Sequence, residues 1–324
     1  MQLDKYFMHN VGKTTLKDPN RVIKTITNAN NLILTSIEPL SNNIIHSNPI
    51  YIGRTEGEPG KIYIKLYKSE DILKREVGCN NYLKYQKILV PEIISYGSQP
   101  IPHMITREIS GKQPSEVEIK KRINDLAVVH ANSLINGTEE LREFLSKKTR
   151  SDRLIALNNN KQILQKYLNL TIEENQIIEK LSVILSKEEP TAWDNCFCFN
   201  DFFVNNSLMS SKGIYYYDFE KACIGLPFLD VGCIILNFPK AHQNIKSAYI
   251  KRIRQIIDDR KFTTNPDYID YMIDLSTCEK ALEDAAFLAD DSIKKTKDSD
   301  YCMKLAKNDL FNLTKIFNNL SENN

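Results

Sequence analysis

The sequence has no surplus of charge, no apolar run long enough to cross a membrane and no paired-cysteine motif. Its 43 Lys and Arg residues balance 41 Asp and Glu, for a formal charge of +2. So weak a field gives no electrostatic case for nucleic acid or an anionic membrane surface as partner. The longest apolar stretches, such as Val231 to Phe238, fall well short of the roughly 20 residues a membrane span requires. The opening Met1-Gln2-Leu3-Asp4-Lys5 lacks the apolar core of a secretory leader, so the expected location is cytoplasmic. Seven cysteines are present, but none of the spacings that hold zinc is found. Cys196 and Cys198, alternating on a strand-like run, read as small buried core residues. Nothing in the sequence specifies an oligomeric state.

What is there is an ordinary globular composition, 42% hydrophobic and 26% charged over 324 residues, enough for a large core. Residues 1 to 28 read as helical and then irregular. Strand-like runs follow at Asn31 to Ile37, 44–53 and 61–67, the last two separated by the turn-forming Glu56-Gly57-Glu58-Pro59-Gly60, and together they predict an antiparallel three-strand meander. A helix is expected from about Ser69 to Ile88, then extended runs at Glu92–Tyr96 and His103–Glu108. From Ser115 the pattern turns helical, opening on a capping box of Ser115 with Glu118. Two short strand-like pieces, Cys196–Phe199 and Gly213–Asp218, interrupt the helices. The expectation is an α+β chain with a small antiparallel-sheet lobe over 1–108 and a larger, mainly helical lobe over 109–324.

Within that frame a few polar residues stand at spacings that carry chemistry. Phe199-Asn200-Asp201-Phe202-Phe203-Val204-Asn205-Asn206 places an Asn five residues after an Asp. Seventeen residues after Asp201, the strand Ile214-Tyr215-Tyr216-Tyr217 delivers Asp218 at its C-terminal end. Phosphoryl transfer from a nucleotide needs a cation on the phosphates, oxygen ligands for Mg²⁺ and an oriented acceptor hydroxyl. Asp201 suits the hydroxyl, and Asn206 and Asp218 suit the metal. Upstream, Ile72, Glu76, Cys79 and Leu83 fall at helical spacing, so Glu76 sits in the middle of an apolar stripe. A carboxylate there is costly without a partner, and Lys65 on the preceding strand supplies one. Lys61 and Lys68 are rivals for that role. Gly12-Lys13-Thr14 ends like a P-loop, but the first glycine of that motif falls on Phe7 and no apolar strand precedes it.

These segments resemble the aminoglycoside phosphotransferase and choline kinase superfamily, relatives of the protein kinases. Phe197-Cys198-Phe199-Asn200-Asp201 is similar to the catalytic loop of choline kinases, with Phe199 where the family has histidine. Tyr217-Asp218-Phe219-Glu220-Lys221-Ala222 and Gly225-Leu226-Pro227-Phe228-Leu229-Asp230 are similar to the metal-binding segment and the helix start after it. The resemblance runs from about residue 31 to 235, with Leu126-Ala127-Val128-Val129-His130-Ala131 as a further match. It implies a two-lobed protein-kinase-like fold that uses ATP or GTP with Mg²⁺ to phosphorylate a hydroxyl of a small molecule. It further implies that Lys65, clamped by Glu76, contacts the phosphates, that Asn206 and Asp218 hold the metal, and that Asp201 is the catalytic base. Asp230 would brace the catalytic loop, and His130 reads as a core residue. The glycine-rich loop of protein kinases is missing. The resemblance therefore assigns phosphate contacts to Ser41 and the Asn42 and Asn43 amides, and adenine contacts to the backbone of Arg107, Glu108 and Ile109.

The acceptor side stays open. Glu220 suits a second metal ligand, a substrate contact or a plain loop residue. Glu279 and Glu283, with Asp284, Asp290 and Asp291, form a carboxylate set suited to an amine-bearing antibiotic or metabolite, or else a solvated helix face. Choline or ethanolamine kinase is one alternative, with tyrosines caging the ammonium. A nucleotide-binding pseudokinase with a scaffolding role is the other, resting on Phe199.

Overall fold

The computed structural model describes residues 7–10, 13–16, 18–40, 48–56, 60–257, 265–294 and 299–322. They fall into two units: Met1–Lys112 with Leu208–Glu220, and Gln113–Ser207 with Lys221–Asn324.

The first unit opens on two short paired strands, β1 (Phe7–Asn10) and β2 (Lys13–Leu16), followed by α1 (Pro19–Ala29). The expected order of helix and then irregular chain over residues 1–28 is thus overturned. The β-branched Thr14-Thr15 pair favours extended backbone. The helix starts only at Asp18, whose side chain accepts from the Arg21 N–H, with Pro19 in the first turn. The central sheet comprises β3 (Leu34–Pro39), β4 (Ile50–Thr55), β5 (Lys61–Leu66), β6 (Ile93–Gly97) and β7 (His103–Arg107), in the order β3-β4-β5-β7-β6. All its pairings are antiparallel, so the expected meander is the first part of a five-strand sheet.

Strand periodicity divides the sheet into two faces. Ile62, Ile64 and Leu66 of β5 pack with Ile105 and with Val22, Ile23 and Ile26 of α1. The opposite face carries Tyr67 and Met104, packed on Leu73 and Val77 of α2 (Glu70–Tyr85). Lys65 alternates with Ile64 and Leu66 and therefore points to the α2 side. Ser69 caps α2 by accepting the Ile72 N–H at 3.3 Å.

Strands β9 (Ser207–Ser210) and β10 (Gly213–Tyr216) form a two-stranded sheet. Its residues from Leu208 onward join the first unit through backbone bonds. The Tyr216 N–H donates to Leu89 O at 3.0 Å, and Met209 exchanges bonds with Lys112 at 2.7 and 3.1 Å. Gly111 is needed there, because a Cβ would lie 2.5 Å from Met209 O.

The second unit is mainly helical: α3 (Ile119–Asn136), α4 (Arg150–Tyr167), α5 (Ile172–Lys187), α6 (Phe228–Asn237), α7 (His242–Ile256), α8 (Pro266–Lys294) and α9 (Ser299–Glu322). The Ser115 and Glu118 capping box forms as expected, the Ser115 N–H donating to Glu118 Oε2 at 2.7 Å. Strand β8 (Cys196–Cys198) pairs antiparallel with β11 (Cys223–Gly225). Cys196 and Cys198 are buried free thiols. Helix α8 runs through the interior, with Ile269, Ile273, Leu275, Cys278, Ala281, Leu282, Ala285, Ala286 and Ala289 all fully buried. Gly232 lets α6 approach it, since a Cβ would stand 3.0 Å from Thr277 Cα. No helix among the described residues is long and apolar enough to cross a membrane.

One packing detail sets a pH dependence. Burial, and the charge and hydrogen bond of Asp284, push the Asp309 carboxyl up to about 8, against ~4 in an unfolded chain. Between those values the folded protein holds a proton that the unfolded chain has released, so stability falls as pH rises through that window and levels off above it. Asp309→Asn, which keeps a hydrogen-bond donor towards Asp284, is expected to raise Tm by roughly 2–6 °C at pH 9. Below pH 5 it should have little effect. Thermal melts across pH check this, and a gain that does not grow with pH contradicts it.

Candidate active site

In the first unit, β5, α2 and the chain leaving β10 each deliver one charged group to a single point. Lys65 Nζ lies 2.8 Å from Glu76 Oε2 and 3.1 Å from Glu76 Oε1, 2.8 Å from Asp218 Oδ1 and 2.8 Å from Glu220 Oε1. Lys65 and Glu76 are buried, at 9% and 3% exposure. The pair expected from the apolar stripe of α2 is therefore present, and Asp218 and Glu220 join it. Of the rival lysines, Lys61 pairs with Arg54 at the start of β5, and its Nζ lies 3.9 Å from Glu108 Oε1. Asp218 adopts φ 66°, a left-handed backbone that Asp tolerates better than most residues.

Three carboxylates around one ammonium leave an excess of two negative charges. Burial raises the Glu76 carboxyl, the Asp218 and Glu220 charges add to this, and Lys65 only partly offsets them, so it is pushed up to about 7. Burial alone would lower the Lys65 ammonium, yet Asp218, Glu76 and Glu220 together hold it well above its ordinary value. Oxygen atoms of Glu76, Asp218 and Glu220 lie within 4.8 Å of one another. A hard, all-oxygen donor set with surplus negative charge fits a divalent cation such as Mg²⁺.

Two residues that the sequence did not single out hold this group in place. Asn48 Nδ2 donates to Glu220 Oε1 at 2.6 Å while its own carbonyl accepts the Lys68 N–H at 3.2 Å. Arg75, next to Glu76 on α2, donates to the Glu220 carbonyl at 2.5 Å. The adjacency of Arg75 to Glu76 was visible in the sequence, but its target, 145 residues away, was not.

In the second unit, the segment from Phe199 to Asn206 is held on nearly every side by buried groups. Asp230, fully buried, accepts the Phe199 N–H at 2.8 Å and the Asn200 N–H at 2.6 Å. His130, also fully buried, bonds to Asp230 at 3.2 Å and to the Tyr249 hydroxyl at 2.9 Å. Phe199 packs between Phe197 and Phe202, with ring centroids at 5.1 and 4.6 Å, so it braces the loop by packing. Arg122 donates to Phe202 O at 2.9 Å and stacks over its ring. Asn206 Nδ2 donates to Asp201 O at 2.8 Å and lies 3.3 Å from Asp201 Oδ2. That leaves its Oδ1 as the atom suited to a cation. Asp201 is partly exposed and has Lys221 Nζ 3.3 Å from Oδ1.

Several expected site residues fall elsewhere. Ser41 and Asn42 lie outside the described residues, as does the side chain of Asp291. The Arg107 and Glu108 amides donate to Glu92 O and Lys61 O, both at 3.0 Å or less, and of the three backbone positions expected for adenine Glu108 and Ile109 lie beyond the end of the strand. Glu279 is corrected outright. It is buried in an ion pair with Arg153, whose Nε lies 3.1 Å from Oε2, and Arg153 also reaches Glu188 at 3.2 Å. A carboxylate so placed balances a buried guanidinium and is not open to an acceptor. Glu283 is likewise engaged, 2.8 Å from Lys280 Nζ. Burial would raise its carboxyl, but the Lys280 and Lys148 ammonium groups outweigh that and bring it down to about 2. The reading of α8 as a solvated acidic face fails for the same reason, since that helix is interior.

A strand lysine ion-paired to the following helix, an aspartate closing a later hairpin and a braced Asp-x₄-Asn loop, on an antiparallel sheet followed by helices, make this a protein-kinase-like small-molecule phosphotransferase with an alcohol group as acceptor. The chain belongs to the phosphotransferase enzyme family, whose model matches residues 50–256. Among solved structures it is similar to a choline kinase from Cryptosporidium parvum Iowa II, at 12% identity and TM-score 0.64, covering 94% of this chain and 97% of that one. It is also similar to a spectinomycin phosphotransferase solved with ADP and spectinomycin (13% identity, TM-score 0.66, 94% and 99% covered). A Plasmodium vivax ethanolamine kinase matches at 14% identity and TM-score 0.60, with 96% and 91% covered. These likenesses carry the fold, and with the family they bear out the resemblance to aminoglycoside phosphotransferases and choline kinases. Comparison with curated proteins found no matching sequence.

Magnesium chloride added to nucleotide-free protein is expected to raise Tm by mass action on the folded state. Glu220→Gln should at least halve that rise. An undiminished rise in the variant would place the cation away from these carboxylates.

Proposed function

We propose that the protein transfers the γ-phosphoryl group of ATP or GTP, as the magnesium complex, to a hydroxyl of a small amine-bearing molecule such as an antibiotic or an amino alcohol. The observation that carries this reading is the Lys65 ammonium held between Glu76 and Asp218, at 2.8 Å from each.

In this mechanism Lys65 keeps its bond to Glu76 and exchanges Asp218 for phosphate oxygens of the nucleotide. Asp218 and Glu220 would hold Mg²⁺, with Asn206 Oδ1 proposed as a further ligand, and the bound ion would supply charge neutralisation on the phosphates. Backbone groups around Ile109 receive the base, and Ser41 and Asn42, outside the described residues, are the proposed phosphate contacts. Asp201 accepts a hydrogen bond from the acceptor hydroxyl, orients its oxygen for in-line attack and takes its proton as the O–P bond forms. Lys221, 3.3 Å from Asp201, is placed to balance charge on the phosphoryl group. With no covalent chemistry for the protein to do, the rate comes from positioning and electrostatics.

The amine on the acceptor remains the part of this reading that the assay below decides. Phe199 does not favour a pseudokinase, because Asp230 holds the loop from behind and the aromatic ring adds to that brace.

Phosphate transfer measured over a panel of aminoglycosides, choline, ethanolamine and other amino alcohols tests the proposal. At least one acceptor should turn over, and Asp201→Asn should lower its kcat by about 10²–10⁴-fold while leaving nucleotide affinity within about threefold. Equal rates for the two proteins would remove Asp201 from the chemistry. Preferred turnover of choline or ethanolamine would narrow the acceptor to the amino alcohols.

A further inference from the structure

Lys280 stands on α8, beyond residue 256 where the family match ends. It is 1% exposed, and a wholly buried lysine is uncommon unless its charge has a use or a partner. Its Nζ donates to Asn200 O at 3.0 Å and to Glu283 Oε2 at 2.8 Å, and lies 5.9 Å from the centre of the Phe203 ring. Asn200 O belongs to the peptide group that joins Asn200 to Asp201, so the ammonium grips the link immediately before the proposed base.

That link is set in an unusual backbone. Asn200 has φ 58°, a left-handed conformation that a non-glycine residue holds only when its surroundings determine it. Asp230 accepts its N–H at 2.6 Å, Lys148 Nζ lies 3.3 Å from its side-chain Oδ1, and Lys280 takes its carbonyl. Asp230 holds the peptide before Asn200 and Lys280 holds the 200–201 peptide after it, so both planes flanking the residue are gripped by buried charged groups. The 200–201 plane fixes the direction in which the Asp201 side chain leaves the backbone. Arg122 supports the far side of the loop in the same way, at Phe202 O. The charges acting on Lys280 come from Glu283 on its own helix and from Asp201 on the loop, with the Cys233 thiol of α6 beside it.

We infer that Lys280 is a positioning residue for phosphoryl transfer, a buried cation that orients the Asn200–Asp201 peptide and with it the Asp201 carboxylate. Glu283 balances its charge, which accounts for a carboxylate that would otherwise read as a substrate contact. Lys280 does not touch the nucleotide in this scheme. Its loss should therefore appear in turnover and leave nucleotide affinity unchanged.

The inference rests on Asp201 being the base, and the test separates the two claims. The probe is hydrolysis of magnesium ATP with water as acceptor, which needs no identified substrate. Lys280→Met, which keeps the length of the side chain without its charge, is expected to lower kcat roughly 30-fold or more, with KM for ATP changed by less than about twofold. Lys280→Gln, whose amide still donates to the carbonyl, should fall between Met and wild type. Tm is measured alongside, and if Lys280→Met does not fold, the Gln variant alone decides. Should the folded variant keep kcat within threefold of wild type while Asp201→Asn is inactive, the role of Lys280 is overturned and the base stands. A loss expressed equally in KM and Tm would show a structural role only. Wild-type hydrolysis by Asp201→Asn would overturn the proposed base itself, and the Lys280 inference with it.

Discussion

A single ammonium, Lys65 Nζ, has carboxylate oxygens of Glu76, Asp218 and Glu220 within 2.8 Å, and the parts of the first unit are arranged so that each brings one of those groups to it. The alternation of β5 turns Lys65 away from the α1 face and towards α2. The apolar stripe of α2 buries Glu76 where it must find a cation. The bonds from β9 and β10 to Lys112 and Leu89 set the end of the hairpin where Asp218 begins. An isolated buried charge of either sign would cost several kcal/mol. Each of these placements is therefore tolerable only because the others are made.

The second unit solves a different problem, that of holding a short loop still. Between Phe199 and Asn206 the chain is neither helix nor long strand, so its own backbone cannot satisfy it. The missing partners are side chains from α3, α6 and α8: the buried Arg122, Asp230 and Lys280, with the half-buried Asn237. Such a loop is rigid without being regular, and it presents Asp201 at its exposed edge. A histidine at position 199 is not required for this, because the backbone bonds come from Asp230 and the aromatic ring fills the space behind them.

Local pattern made much of this legible before any coordinates. Alternation along 61–66 and the period of Ile72, Glu76, Cys79 and Leu83 were enough to pair Lys65 with Glu76, since both signals lie within a few residues of the groups they place. The contact of Asn206 with Asp201 was legible for the same reason, the two lying five residues apart. What failed was non-local. Glu279 looked available because its partner, Arg153, is 126 residues away. Glu220 stayed ambiguous because Lys65 and Asn48 lie on distant strands and loops. Lys280 drew no attention because nothing in the periodicity of α8 says that the helix is buried on every side from Met272 to Leu282. The start of the chain was misread where a helix cap at Asp18, not the composition around it, decides the boundary.

The most direct test of the Lys65 group is calorimetric titration of magnesium ATP into the wild-type protein and Glu76→Gln. With its clamp reduced to an amide, Lys65 should bind the phosphates at least tenfold more weakly, about 1.4 kcal/mol, with stoichiometry unchanged. Equal affinities for the two proteins would mean that the ammonium at the centre of the first unit is not what receives the nucleotide.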